Sequence, residues 1–146
     1  MSLGKARGAI VDAIVTKLKT IDGSGFFNID LSNNVENKLV FWDELNDFPF
    51  VSVVAGSERR EYLPGNFKWG FLNITIRMYV YDEDPVSELE KLLVDTESVL
   101  DSNRQLNYAT GMDTTEVLIA QISSDEGLLA PYGVGEMNII VQYEVQ

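Results

Sequence analysis

Chemistry in this chain would have to come from two carboxylate clusters and one pair of arginines. Asp82-Glu83-Asp84 offers the hard oxygens that hold Mg²⁺ or Ca²⁺. It lacks the spaced ligands and the fixed glycine of a calcium loop, and Asp84-Pro85 reads fully as a helix start. Asp43-Glu44 with Asp47 is a second acidic group. General acid/base work needs two carboxylates at a set separation, which spacing along a loop does not supply. Arg59-Arg60 is flanked by Glu58 and Glu61, so it reads as a self-neutralised segment or a subunit contact rather than a nucleic-acid patch. Gly23-Ser24-Gly25 and Gly133-Val134-Gly135 lack the lysine of a phosphate loop and the strand-to-helix setting of a dinucleotide site, and read as turns. Phe67, Trp69 and Phe71 could stack on bases, but without a basic surround they favour a protein–protein anchor.

The chain has no histidine and no cysteine. Disulfides, thiolate nucleophiles and zinc–thiolate sites are thereby excluded, and the usual general base is missing. Acidic residues outnumber basic ones 23 to 11, for a net charge of −12 over 146 residues. Such a body repels nucleic acid and anionic lipid in bulk. The first twenty residues oppose this: Lys5, Arg7, Lys17 and Lys19 against Asp12 give +3, leaving −15 on the remainder. A basic element on an acidic body suits head-to-tail contact between identical subunits, and equally a solvated helix face. No apolar run is long enough to span a bilayer and no signal-peptide core is present, so a cytoplasm-like compartment and no membrane partner are expected.

The elements that position these residues follow from periodicity. Phe67 to Tyr81 reads as one long strand, with Leu72, Ile74, Ile76, Met78 and Val80 on one face and Asn73, Thr75, Arg77, Tyr79 and Tyr81 on the other. At about 3.3 Å per residue it reaches roughly 50 Å, more than a single domain of this size covers, so its aromatic start should project toward a partner. Residues 3 to 20 form a first helix, capped by Ser2, with Ile10, Val11, Ile14, Val15 and Leu18 as its stripe. A second helix runs from Pro85 to about Leu100, with Val86, Leu89, Leu92, Leu93, Val99 and Leu100 inward. Short strands are expected at Phe26 to Leu31 and Lys38 to Trp42, and further strands at Phe50 to Ala55, Glu116 to Ser123 and Glu136 to Val145. Gly56 to Asn66 reads as a charged, exposed excursion, and Ser124 to Gly135 as a loop with an unusually apolar centre at Leu128-Leu129-Ala130-Pro131-Tyr132.

These elements predict a single α+β domain over residues 1–146, with both helices on one face of a mainly antiparallel sheet. In order and size they resemble the tail terminator (tail-completion) proteins of long-tailed bacteriophages. The resemblance rests on Trp42 and Phe48-Pro49 before an apolar strand ending Ala55-Gly56-Ser57-Glu58, on Tyr79-Val80-Tyr81, on Asp84-Pro85, and on Leu89-Glu90-Lys91-Leu92-Leu93. It implies a virion tail protein assembled in the host cytoplasm as a ring of usually six copies. The ring would sit on the last ring of the tail tube, stop its growth and meet the head-to-tail connector. It implies no enzyme activity, cofactor or metal, and six copies carry −72, an acidic lumen through which DNA would slide. The interface residues expected on this reading are Arg59, Arg60, Tyr62, Phe67, Trp69, Leu128, Leu129 and Tyr132. Two alternatives stand beside it: a head-completion or neck protein of the same virion, and a carboxylate-based metal-dependent hydrolase or small-ligand domain around Asp43, Asp47 and Asp82.

Overall fold

In the computed structural model, which describes residues 6–31 and 33–145, the long strand Phe67–Tyr81 (β3) is the centre of a five-stranded sheet. The other strands are β1 (Val35–Glu36), β2 (Phe50–Leu63), β6 (Glu116–Ser124) and β7 (Tyr132–Glu144), in the order β1-β2-β3-β7-β6. All neighbours are antiparallel except β1, which runs parallel to β2. A small hairpin of β4 (Asn107–Ala109) and β5 (Met112–Asp113) lies apart; its tight turn at Gly111, φ +72°, was not anticipated. The α+β class and the length of β3 agree with the sequence expectation.

Both helices pack on the sheet face that carries Leu72, Ile74, Ile76, Met78 and Val80. Helix α1 (Ala6–Leu18) buries Ile10, Val11, Ile14 and Leu18 there, while the expected Ser2 cap lies outside the described residues. Helix α2 (Pro85–Asp101) starts as expected: the Asp84 carboxylate accepts a hydrogen bond from Ser87 N at 3.2 Å. Leu89, Leu92, Leu93, Val99 and Leu100 are buried, but Val86, assigned to the same stripe, is exposed. Asp95 is buried instead. Its carboxylate accepts from Asn28 N and Ile29 N, each at 2.8 Å, and from Asn28 Nδ2 at 3.0 Å.

That contact explains one correction. Phe26 to Leu31 is not a strand, because the amides of Asn28 and Ile29 go to a helix side chain rather than to a sheet neighbour. Lys38 to Trp42 is not a strand either. Residues 37–49 form a strap over the other sheet face, with one 3₁₀ turn at Trp42–Glu44. The strap buries Val40 against Phe50 and Tyr79. It is tied down by the Tyr79 hydroxyl donating to Val40 O and by the Ser52 hydroxyl donating to Lys38 O.

Gly56 to Leu63 is the second correction: it continues β2 rather than looping out. One bulge is inserted, since Ala55 pairs with Ile74 and Glu58 with Leu72, leaving Gly56 and Ser57 opposite Asn73. Asn73 Nδ2 donates to Ser57 O at 3.2 Å, and the Arg7 guanidinium donates to Gly56 O. Beyond the bulge, alternation makes a strand of the charged run. Glu58 and Arg60 share one face and pair; Arg59 and Glu61 share the other and pair at 3.8 Å. The hairpin closes at Pro64-Gly65-Asn66, where Gly65 and Asn66 take positive φ.

The third correction concerns Gly133-Val134-Gly135, which lies inside β7 and not in a turn. These residues pair with Val80, Tyr79 and Met78. Helix α2 approaches so closely here that a Cβ on Gly133 would meet Val80 Cγ2 at 2.7 Å and Pro85 O at 3.0 Å. One on Gly135 would meet Leu89 Cδ1 at 2.9 Å.

Candidate functional site

The residues expected to touch partners fall at opposite ends of β3. Arg59, Arg60, Tyr62, Phe67 and Trp69 lie on the β2–β3 hairpin, whose tip outruns the sheet: β7 ends opposite Trp69, one further bond runs from Val145 N to Lys68 O at 2.9 Å, and among the described residues the pair Leu63–Phe67 has no third strand. Leu128, Leu129 and Tyr132 lie at the other end, where Tyr132 pairs with Tyr81. Twelve residue steps of β3 separate Trp69 from Tyr81, about 40 Å of extended chain. The candidates therefore make two surfaces.

On the hairpin arm, strand alternation sorts the side chains. Phe67 and Trp69 meet edge to face at 5.0 Å on one side, where the Arg59 guanidinium lies 4.1 Å from the centre of the Phe71 ring. The other side carries Arg60, Tyr62 and Lys68, with the Lys68 ammonium 5.6 Å from the Tyr62 ring. Tyr62 is 73% exposed. At the arm's root the Glu58 carboxylate, only 5% exposed, takes hydrogen bonds from Arg60 and from the Tyr143 hydroxyl at 2.8 Å. The Tyr143 ring lies over Gly70, where a Cβ would come within 2.7 Å of it. Burial first, and the bond to Glu58 second, push the Tyr143 phenol up to about 12.

At the far end the strap, β3 and β7 bring four aromatic rings together. Tyr132 lies 4.8 Å from Trp42, 4.9 Å from Tyr81 and 5.7 Å from Phe48. The loop between β6 and β7 is organised by Asp125, which accepts from Leu129 N at 3.1 Å and Val134 N at 3.2 Å. That loop lifts Leu128 to 86% exposure, while Leu129 is half-buried. Phe41, Leu39, Tyr81 and Val86 are exposed at the same end.

The carboxylates do structural work. Asp82 accepts from Asp84 N at 2.9 Å, and Asp84 caps α2. Glu44 accepts from Phe41 N at 3.3 Å, and Asp43 and Asp47 point to solvent on the strap. Among the described residues no three carboxylates converge as a metal site would require, and no helix is long and apolar enough to cross a membrane. What the sequence reading missed is a groove between α2 and β6, about 440 Å³ in volume, with Leu93, Val94 and Ile122 as its apolar lining and Glu90, Glu97 and Glu126 around it. Val94, apolar but off the helix stripe, was the available signal.

The arm and the aromatic platform are therefore the two surfaces that the fold presents. A family profile described as Bacteriophage Tail Tube Terminator Protein matches residues 4–146. The chain belongs to that family. It is 36% identical to the tail tube terminator protein p142 of Escherichia phage T5, over 94% of this chain and 93% of the relative. It also shares its fold with a chain in the virion of a native gene transfer agent particle, at a TM-score of 0.60 and 11% identity, covering 97% of this chain and 98% of the other. The family is one of virion tail components and not of enzymes, so the hydrolase alternative around Asp43, Asp47 and Asp82 falls away.

Proposed function

We propose that copies of this chain close into a ring, with six the expected number, which caps the tail tube, stops its polymerisation and presents a surface to the head-to-tail connector. The observation that carries this reading is the exposed apolar surface at both ends of one continuous hairpin and strand: Tyr62 and Leu63 at one end, with Phe67 and Trp69 half-buried beside them, and Tyr81 and Leu128 at the other. A ring subunit that meets both the next copy and a different neighbour needs separate surfaces held at a fixed separation, and β3 supplies the spacer. In this reading Arg59, Arg60, Tyr62, Phe67 and Trp69 serve contacts at the arm, and Leu128, Leu129 and Tyr132 serve contacts at the platform. A charge of −12 per copy would let DNA traverse the lumen without adhering.

The test is assembly of tail tubes with and without the chain, scored by electron microscopy. Tubes of limited length ending in one ring support the proposal. Unlimited tubes in the presence of folded protein contradict it. Leu128→Asp should leave folding intact and weaken joining at the platform only, by at least tenfold in the fraction of joined particles.

A further inference from the structure

We infer that the β2–β3 arm of one copy docks along the β6 edge of the next, with Tyr62 seated in the groove between α2 and β6. This rests on the ring reading and names its subunit contact. The sheet has two unlike free edges. Among the described residues, strand β6 pairs with β7 alone, and β1 pairs with β2 only at Val51 and Ser52. Free edges recruit strands, and two different edges on opposite sides of one sheet join head to tail, the heterologous contact that generates rings.

Faces and charges match. Tyr62 and its pair Lys68 lie on the side of the sheet that carries the helices, two residues along from the pair Arg60–Gly70 and so on the same face as Tyr143, which pairs with Gly70. Ile122 lies on that same side of β6, opposite Met137. A sheet continued from β6 into a neighbour's β2 therefore turns Tyr62 toward α2. The groove lining includes Glu90, Glu97 and Glu126 and no base. Facing it, the arm brings the Lys68 ammonium, set over the Tyr62 ring, while Arg60 is already paired with Glu58. On a body of −12, the one surplus cation of the arm, Lys68, and a groove lined by Glu90, Glu97 and Glu126 are complementary.

The contact also predicts a stagger. Arm residue Tyr62 pairs with Lys68, beyond the level at which β6 begins, since Glu116 registers through Gln142 with Phe71. To reach Ile122 the neighbour must be displaced along the strands, so strands in the closed ring are inclined to its axis.

The absence of cysteine permits a direct test. Tyr62→Cys and Ile122→Cys are made as single variants and as a double, checked for native circular dichroism, and oxidised in the assembled state. A covalent dimer from the mixture of single variants, and a ladder from the double that stops at the ring number, is the expected result. Dimers from either single variant alone would mean a self-complementary contact and overturn the inference. Rings visible by microscopy without mixed cross-links would overturn the arm contact while leaving the ring. No ring at any concentration or on tubes would remove both. As a second readout, Lys68→Glu or Glu97→Lys should each weaken assembly at least tenfold, and their combination should recover most of it.

Discussion

The two ends of β3 are built by different physics. At the platform end, a strap, a helix start and a loop converge on the strand, and Tyr79 is buried with its hydroxyl bound to Val40 O. At the arm end β7 reaches only the root, through Tyr143 and Val145, and the ion pairs Arg59–Glu61 and Arg60–Glu58 lie within the hairpin itself. The platform is a preformed surface, held by packing. The arm is a low-contact element whose side chains are satisfied locally, the kind of segment that opens and re-seats at little cost. The two ends thus offer one rigid face and one adaptable one.

Paired substitutions can break that contrast. The largest expected effect is Tyr79→Ala, which empties the small core under the strap and should cost about 3–5 kcal/mol in denaturant unfolding. Trp69→Ala on the arm should cost under about 1.5 kcal/mol, because Trp69 is half-buried, with Phe67 as its ring partner. Equal losses would erase the distinction. Gly133→Ala comes next, at about 1–3 kcal/mol, since Pro85 O and Val80 cannot both yield. At the arm's root, Tyr143→Phe should cost about 1–2 kcal/mol by leaving Glu58 short of a donor. Because the folded-state value of Tyr143 lies above that of an unfolded tyrosine, its contribution is complete below about pH 10 and is lost as pH rises toward 12. Alkaline unfolding curves should show that loss in the parent protein and not in the phenylalanine variant. The smallest effect is Arg59→Ala, within about 1 kcal/mol, since both its ion pair and its stacking on Phe71 are solvent-exposed.

The legible parts of the fold were those with a dominant period. β3 alternates without interruption, and α2 announces itself by Asp84-Pro85, so both were read to within a residue or two. What failed were places where a distant contact decides. Phe26 to Leu31 has strand-like composition, but Asp95, far along the chain, takes its amides. Gly133 and Gly135 look like turn residues until α2 is laid over them. Gly56-Ser57 reads as a strand end, and only the register with Asn73 makes it a bulge. For the residues proposed as contacts, the division into two surfaces follows once β3 is one strand. The α2–β6 groove was not, because Val94 and Ile122 come together only through the sheet order.

Electron cryomicroscopy of tubes terminated by this protein tests the central claim most directly. A single closed ring at one tube end, with the arm tips and the Leu128 platform on opposite sides of each subunit's body, is the predicted image. Subunits scattered along the tube wall, or a ring in which arm and platform share one contact, would contradict it.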